Sequence, residues 1–201
     1  YIKPVNTWTI YTHSDGLASD NISCIAIWEN EIWFGARESG VSKYDKKIGN
    51  FTTFVEAVAL PDNNVMDLEF DLKHSKLWAA TAKGLGMYDL KRKEWSHYGK
   101  ENGLPSDYIT TLNSGSETLY IGTAQGLGLL DEKSLRWKPC LKEKFITDLE
   151  VADNFIWTGT SKGLFRVSAD GETTSVAALA DKRVTCIESD GLYLWVGTKD
   201  G

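Results

Sequence analysis

Leu77-Trp78-Ala79-Ala80-Thr81-Ala82-Lys83-Gly84, running on into Leu85-Gly86-Met87-Tyr88-Asp89, is the stretch whose reading decides the fold. It consists of an apolar residue, an aromatic, any residue and a small residue, then a turn that ends in glycine. The pattern recurs as Ile32-Trp33-Phe34-Gly35 leading to Gly40 and as Leu119-Tyr120-Ile121-Gly122 leading to Gly126. It returns as Ile156-Trp157-Thr158-Gly159 leading to Gly163 and as Leu194-Trp195-Val196-Gly197 leading to Gly201. Successive terminal glycines lie 44, 42, 37 and 38 residues apart. A period of that size is the length of one four-stranded propeller blade.

Each unit reads as four short strands, a to d. Strand a alternates, as in Val65-Met66-Asp67-Leu68-Glu69-Phe70 and Ile146-Thr147-Asp148-Leu149-Glu150-Val151, which suits one buried and one polar face. Turn residues follow at Asn30, Ser114-Gly115, Asp153-Asn154 and Asp190-Gly191. Strand b carries the aromatic anchor, and strand c follows the glycine. Strand d is aromatic again in Trp8-Thr9-Ile10-Tyr11, Phe51-Thr52-Thr53-Phe54 and Glu94-Trp95-Ser96-His97-Tyr98. No segment sustains a 3.6-residue apolar period, so almost no helix is expected. The expectation is an all-β chain, a single β-propeller domain over residues 1–201 with five four-stranded antiparallel blades. Its repeats fall at 22–54, 65–98, 109–140, 146–176 and 184–201, the last joined by 1–11.

The anchors Trp33, Trp78, Tyr120, Trp157 and Trp195, with Trp8, Trp95 and Trp137, are expected to fill the gaps between blades. Each such ring buries about 150–250 Å², worth about 4–6 kcal/mol as an upper bound. Trp28 has no counterpart in the other repeats and is the aromatic most worth testing for exposure.

Composition narrows the function classes. The 201 residues are 42% hydrophobic and 25% charged, ordinary for a globular chain. A net charge of −6 argues against nucleic acid as a partner, because the longest basic run is Lys91-Arg92-Lys93, in an expected turn. No apolar run approaches the roughly 20 residues of a membrane helix, so no membrane insertion of this segment is expected. Residues 1–5 show neither an initiator Met nor a signal-peptide pattern.

Cys24, Cys140 and Cys186 are too few and oddly numbered for a fully paired framework. Cys24 and Cys186 share a repeat position and read as small buried hydrophobes. Gly159-Thr160-Ser161-Lys162-Gly163 matches the serine-hydrolase elbow G-x-S-x-G. The equivalent turns carry Ala82 and Ala124 at the serine position, and a strand follows where a helix is required. His13, His74 and His97 occupy different repeat positions without metal-ligand spacing, and His74 and His97 read as surface residues. No metal site and no cofactor motif is expected.

In a propeller the d–a and b–c connections gather on one face around the central channel, and function tends to reside on such loops. The b–c loops hold Arg37, Glu38, Lys83, Gln125, Lys162, Lys199 and Asp200; the d–a loops add His13, Asp15, Lys100 and Glu101. The four basic residues of the b–c loops suggest a partial ring for an anionic ligand such as an acidic saccharide.

Gly103-Leu104-Pro105-Ser106-Asp107-Tyr108-Ile109 recurs as Gly16-Leu17-Ala18-Ser19-Asp20-Asn21-Ile22, and in part as Leu60-Pro61-Asp62-Asn63-Asn64-Val65. Together with the anchor run, these residues make essentially the whole chain resemble the two-component regulator propeller repeat. That resemblance implies a ligand-binding sensor propeller of bacterial hybrid histidine kinases and related proteins. It further implies an extracytoplasmic location, periplasmic or secreted, a small-molecule or carbohydrate ligand, and a signalling kinase domain outside this chain. Units four and five depart from the family pattern. Lys142-Glu143-Lys144-Phe145 and Ala180-Asp181-Lys182-Arg183 replace the connection, which accounts for the shorter spacings. Two other classes remain open: a propeller lyase or hydrolase with its site at the channel mouth, and a protein-interaction or dimerisation scaffold.

Tyr1 precedes Trp8 by seven residues, as Tyr88 precedes Trp95. This phase fits a five-bladed ring whose termini share a blade. It fits equally five repeats of a longer array, and relatives of the family generally have seven blades.

Overall fold

Alternating apolar residues, broken by Gly- and Asn-rich turns, fold the chain into successive antiparallel sheets. The computed structural model describes residues 8–115, 118–131 and 136–199. The first blade holds β1 (Ile22–Trp28), β2 (Glu31–Ala36), β3 (Gly40–Asp45) and β4 (Asn50–Phe54). The second holds β5 (Val65–Asp71), β6 (Lys76–Thr81), β7 (Gly84–Asp89) and β8 (Glu94–Tyr98). The third comprises β9 (Ile109–Ser114), β10 (Thr118–Thr123), β11 (Gly126–Asp131) and β12 (Arg136–Cys140). The fourth comprises β13 (Ile146–Ala152), β14 (Phe155–Thr160), β15 (Gly163–Ser168) and the short β16 (Thr173–Ser175). Each of these sheets keeps its strands in sequence order, and β17 (Val184–Ser189) with β18 (Leu194–Thr198) forms a fifth, two-stranded sheet. Helix is confined, among the described residues, to three single turns of 3₁₀ type.

Two local devices recur and explain the repeated motifs. In the b–c turn, the hydroxyls of Thr81, Thr123 and Thr160 donate to the carbonyls of Gly84, Gly126 and Gly163 at 2.7, 2.7 and 2.9 Å. The same hydroxyls accept from the N–H groups of Lys83, Gln125 and Lys162. Gly126 adopts φ 140°, and a Cβ there would lie 2.9 Å from the Cys140 carbonyl, so only glycine closes the turn without strain. In the d–a connection, the side chains of Asp20, Asn63 and Asp107 accept from the N–H groups of His13, Glu56 and Lys100 at 2.6, 2.7 and 2.8 Å. Ser19, Asp62 and Ser106 cap the N–H two residues on. The Gly-Leu-x-Ser-Asp motif is therefore a loop that satisfies its own backbone.

Anchors pack each blade on the next. Trp33 is fully buried, stacked on Phe54 at 5.4 Å and tilted against Tyr88 of the second blade at 5.1 Å, with Trp95 at its edge. Trp78 is fully buried in a cluster with Leu104, Ile109 and Leu112, against which Trp137 packs half-buried. Tyr120 is buried, and Trp157 is half-buried beside Leu164, Val184 and Ile187.

The outermost aromatics differ from expectation. Trp195 is 61% exposed and Trp8 is 93% exposed. The position before the anchor's partner on strand a explains why. Leu68, Leu112, Leu149 and Ile187 are 4–5% exposed because the preceding blade covers them, whereas their counterpart Ile25 is 56% exposed. The first and fifth blades therefore do not cover each other, and the described residues form an open arc. Trp8-Thr9-Ile10-Tyr11 is no strand. Tyr11 instead lies on Tyr44 and Phe51 of the first blade. Residues 1–7, including the Tyr1 used for the phase, and residues 200–201 lie outside the described residues.

Trp28 is half-buried rather than exposed, its ring 5.9 Å from Phe70 of the second blade. Cys186 is exposed, on the open fifth blade, while Cys24 is half-buried and Cys140 buried. All three thiols are free.

Candidate functional site

One hydrogen bond, repeated five times, assembles the loop face. The residue after strand b donates its N–H to the carbonyl of the residue before strand a: Arg37 to Asn21, Ala82 to Asn64, Ala124 to Tyr108, Ser161 to Phe145 and Lys199 to Arg183, at 2.9–3.1 Å. Each b–c tip is thereby pinned beside the start of strand a. A second feature sits just beyond that bond. In every blade the register between strands a and b slips by one residue, leaving Ser23, Met66, Thr110, Thr147 and Thr185 as the unpaired bulge residues. Bulges of this kind re-aim side chains and collect at functional edges.

The sequence-derived residues are spread one blade at a time around this face. Lys83 is committed, 2.7 Å from Asp62 and 3.8 Å from Glu56, and the Asp62 bond and charge raise its ammonium above the usual value. The Arg37 guanidinium lies on the Met66 sulfur, and neighbouring Glu38 is exposed with φ 62°. Gln125, Lys162 and Lys199 project as exposed tips; Asp200 lies outside the described residues. His13 and Asp15 serve their own loop. The imidazole Nδ1 of His13 is 2.9 Å from the Leu17 carbonyl, and Asp15 accepts from the Thr12 N–H and hydroxyl at 2.8 and 2.9 Å. Lys100 and Gln125 do come together, lining a cleft of about 560 Å³ with residues 103–106, Pro139, Lys142 and Glu143.

A second cavity, of about 230 Å³, lies where strands a of blades three, four and five begin. Thr110, Phe145, Ile146, Thr147, Arg183, Val184 and Thr185 line it. The hydroxyl oxygens of Thr110 and Thr147 are closed off from solvent and have no hydrogen-bond partner, whereas the equivalent Ser23 hydroxyl lies 3.0 and 2.7 Å from the carbonyls of Gly35 and Val65. Sequence reasoning concentrated on the b–c tips and passed over these residues. The available signal was the register itself: the residue before strand a reads Asn21, Asn64, Tyr108, Phe145 and Arg183, varying while its flanks repeat.

Deeper along strand a, carboxylates hold blade to blade. Asp67 accepts from the Leu112 N–H at 2.8 Å and the Thr111 hydroxyl at 3.2 Å, Glu69 from the Ser114 N–H at 3.0 Å, and Asp148 from the Ile187 N–H at 2.6 Å. Burial pushes all three carboxyls above their usual range, Glu69 to about 7, with the accepted N–H groups opposing the shift. Burial likewise raises the Cys24 thiol to about 12, which leaves it protonated and inert. These acids are bound to backbone donors and act as structural staples.

Ser161 sits in a turn followed by strand β15, so no nucleophile elbow forms. His74 is half-buried, with Nδ1 2.8 Å from Oδ2 of Asp71, and His97 reaches the Ala59 carbonyl at 2.9 Å. No group of three or more His, Cys, Asp or Glu that could hold a metal ion occurs among the described residues. No helix among them is long and apolar enough to cross a membrane.

No family model matches the chain, and no curated protein does. Solved structures do. Over 99% of its length the chain resembles the extracellular domain of a hybrid two-component system from B. thetaiotaomicron, with a TM-score of 0.76 and 21% identity. It covers 28% of that chain. A second extracellular domain from the same organism, of a one-component system, matches 89% of the chain at TM-score 0.76 and 18% identity, with 26% of that chain covered. The β-propeller domain of Myceliophteria thermophila Cps50 matches 90% of the chain at TM-score 0.65 and 12% identity, with 63% of its own length covered. The chain thus has a β-propeller fold like that of the Cps50 domain and spans less than a third of the two extracellular domains.

Proposed function

We propose that the chain is part of an extracytoplasmic sensor propeller of a bacterial signalling system, and that its loop face recognises a small molecule or oligosaccharide. One observation carries the reading: a constant frame presents variable side chains. The Thr-x-x-Gly turn and the pinning bond repeat from blade to blade, while the residues they display change from Asn21 to Tyr108 to Arg183 and from Lys83 to Gln125. Rigid scaffolds with diversified loops are how binding faces are built. Similarity to extracellular domains of a hybrid two-component system and of a one-component system supports the sensor role and the location. The signalling output, such as a kinase, then lies beyond these residues.

A thermal-shift screen against neutral and acidic oligosaccharides tests this, with chromatography of each saccharide after incubation. A ligand at 100 times its dissociation constant adds about 2.7 kcal/mol of apparent stability, so a clear rise in Tm with unaltered saccharide is expected. Breakdown of the saccharide would transfer the reading to an enzyme. No shift with any member of the panel would overturn the choice of a saccharide ligand.

A further inference from the structure

We propose that the bulge cavity of blades three to five is a subsite for one carboxylate-bearing sugar ring, a uronic acid unit, with Arg183 holding its carboxylate. The proposal deepens the ligand-binding reading above and rests on it.

Charge points to an anion. Arg183 lines the cavity, is exposed and has no ion-pair partner among the described residues, although the chain carries a net charge of −6. Lys83 shows the contrast, since Asp62 and Glu56 already occupy it. The b–c turns of Lys199 and Ser161 start beside the cavity, since the Lys199 N–H is bonded to the Arg183 carbonyl at 2.9 Å and the Ser161 N–H to the Phe145 carbonyl at 3.1 Å. Asp148, next to Thr147, directs its carboxylate to the N–H groups of Leu149 and Ile187 and forms no ion pair with Arg183. A guanidinium matches a planar carboxylate in bidentate fashion, which favours that anion.

Shape and the remaining lining narrow the class. Phe145 gives an exposed aromatic ring at the rim, suited to the apolar face of a sugar. Thr110, Thr147 and Thr185 make the rest of the wall small and polar, although the hydroxyl oxygens of Thr110 and Thr147 are themselves shut off from solvent. A volume of about 230 Å³ is below the roughly 300–1,000 Å³ of pockets that enclose a drug-sized ligand. The cavity therefore accepts one ring of a chain, the rest passing over the loop face. Blades one and two lack this arrangement, because Ser23 spends its hydroxyl on two carbonyls and Met66 is covered by Arg37.

The test is calorimetry with digalacturonate and with its methyl ester, which keeps the size and removes the charge. Digalacturonate is expected to bind at least tenfold more tightly than the ester. Arg183→Gln and Phe145→Ala should each weaken digalacturonate by tenfold or more, while Lys47→Gln, far from the cavity, leaves it unchanged. Unaltered Tm values for the variants confirm folding. Equal affinity for acid and ester, or full affinity in Arg183→Gln, would overturn the subsite and leave the sensor reading standing. Failure of every saccharide, neutral or acidic, would instead overturn the reading on which it rests.

Discussion

Glu69→Gln is the substitution whose outcome follows most directly from the structure. Glu69 lies on β5 and accepts the Ser114 N–H at 3.0 Å from β9, bridging the second and third blades. Burial, then the charges of Asp67 and Asp71, raise its carboxyl from 4.5 to about 7 against the opposing Ser114 bond. A value raised in the folded state means that the fold binds the proton more tightly than the unfolded chain does. Its contribution is complete below about pH 4.5 and is lost as the pH rises through about 7. The full difference corresponds to about 3.4 kcal/mol at 1.36 kcal/mol per unit, reduced to about 2 kcal/mol for a partly exposed group. Glutamine keeps an acceptor for Ser114 and carries no charge. The variant should therefore be about 2 kcal/mol more stable than the parent at pH 8 and nearly equal at pH 4.5. Urea unfolding followed by tryptophan fluorescence at the two pH values gives the comparison. The raised carboxyls of Asp148 and Glu150 act on both proteins alike and cancel. A parent–variant gap that is the same at both pH values would refute the reasoning.

Other outcomes follow from packing and from the loop frames. Trp33→Ala should cost about 3–5 kcal/mol, and Trp195→Ala under half of that because most of the ring is already in water; equal losses in urea unfolding would contradict the open arc. Asp107→Ala removes the acceptor of the Lys100 N–H, so it should cost about 1 kcal/mol and speed hydrogen exchange at that amide. Gly126→Ala places a methyl against the Cys140 carbonyl at a positive φ, and a cost of about 1–3 kcal/mol is expected; no loss of Tm would show that the turn relaxes freely.

The blade architecture was legible because the signal is repeated. The strand-a alternation at Val65 and Ile146, the anchors and the Thr-x-x-Gly turns each correspond to the observed strands within a residue or so. What the sequence could not show is which repeats have neighbours. Trp33 and Trp195 have the same local pattern, and only the presence of a following blade buries one and leaves the other in water. The burial of Trp28 was hidden for a related reason, since its cover comes from Phe70, one repeat away. Among the candidate site residues, charge type alone did not reveal that Asp62 neutralises Lys83 or that His13 and Asp15 are bound into their own loop. The bulge residues were hidden too, because a one-residue slip in pairing leaves no mark on composition. Its trace was the row of Ser23, Met66, Thr110, Thr147 and Thr185, visible once the strands are aligned.

Hydrogen–deuterium exchange with and without digalacturonate tests most directly whether this loop face is where the chain meets its ligand. Protection is predicted at residues 106–111, 143–148 and 181–186, with residues 72–75 and 153–154 on the opposite face unchanged. Protection confined to those opposite turns, or exchange unaltered throughout, would contradict the account.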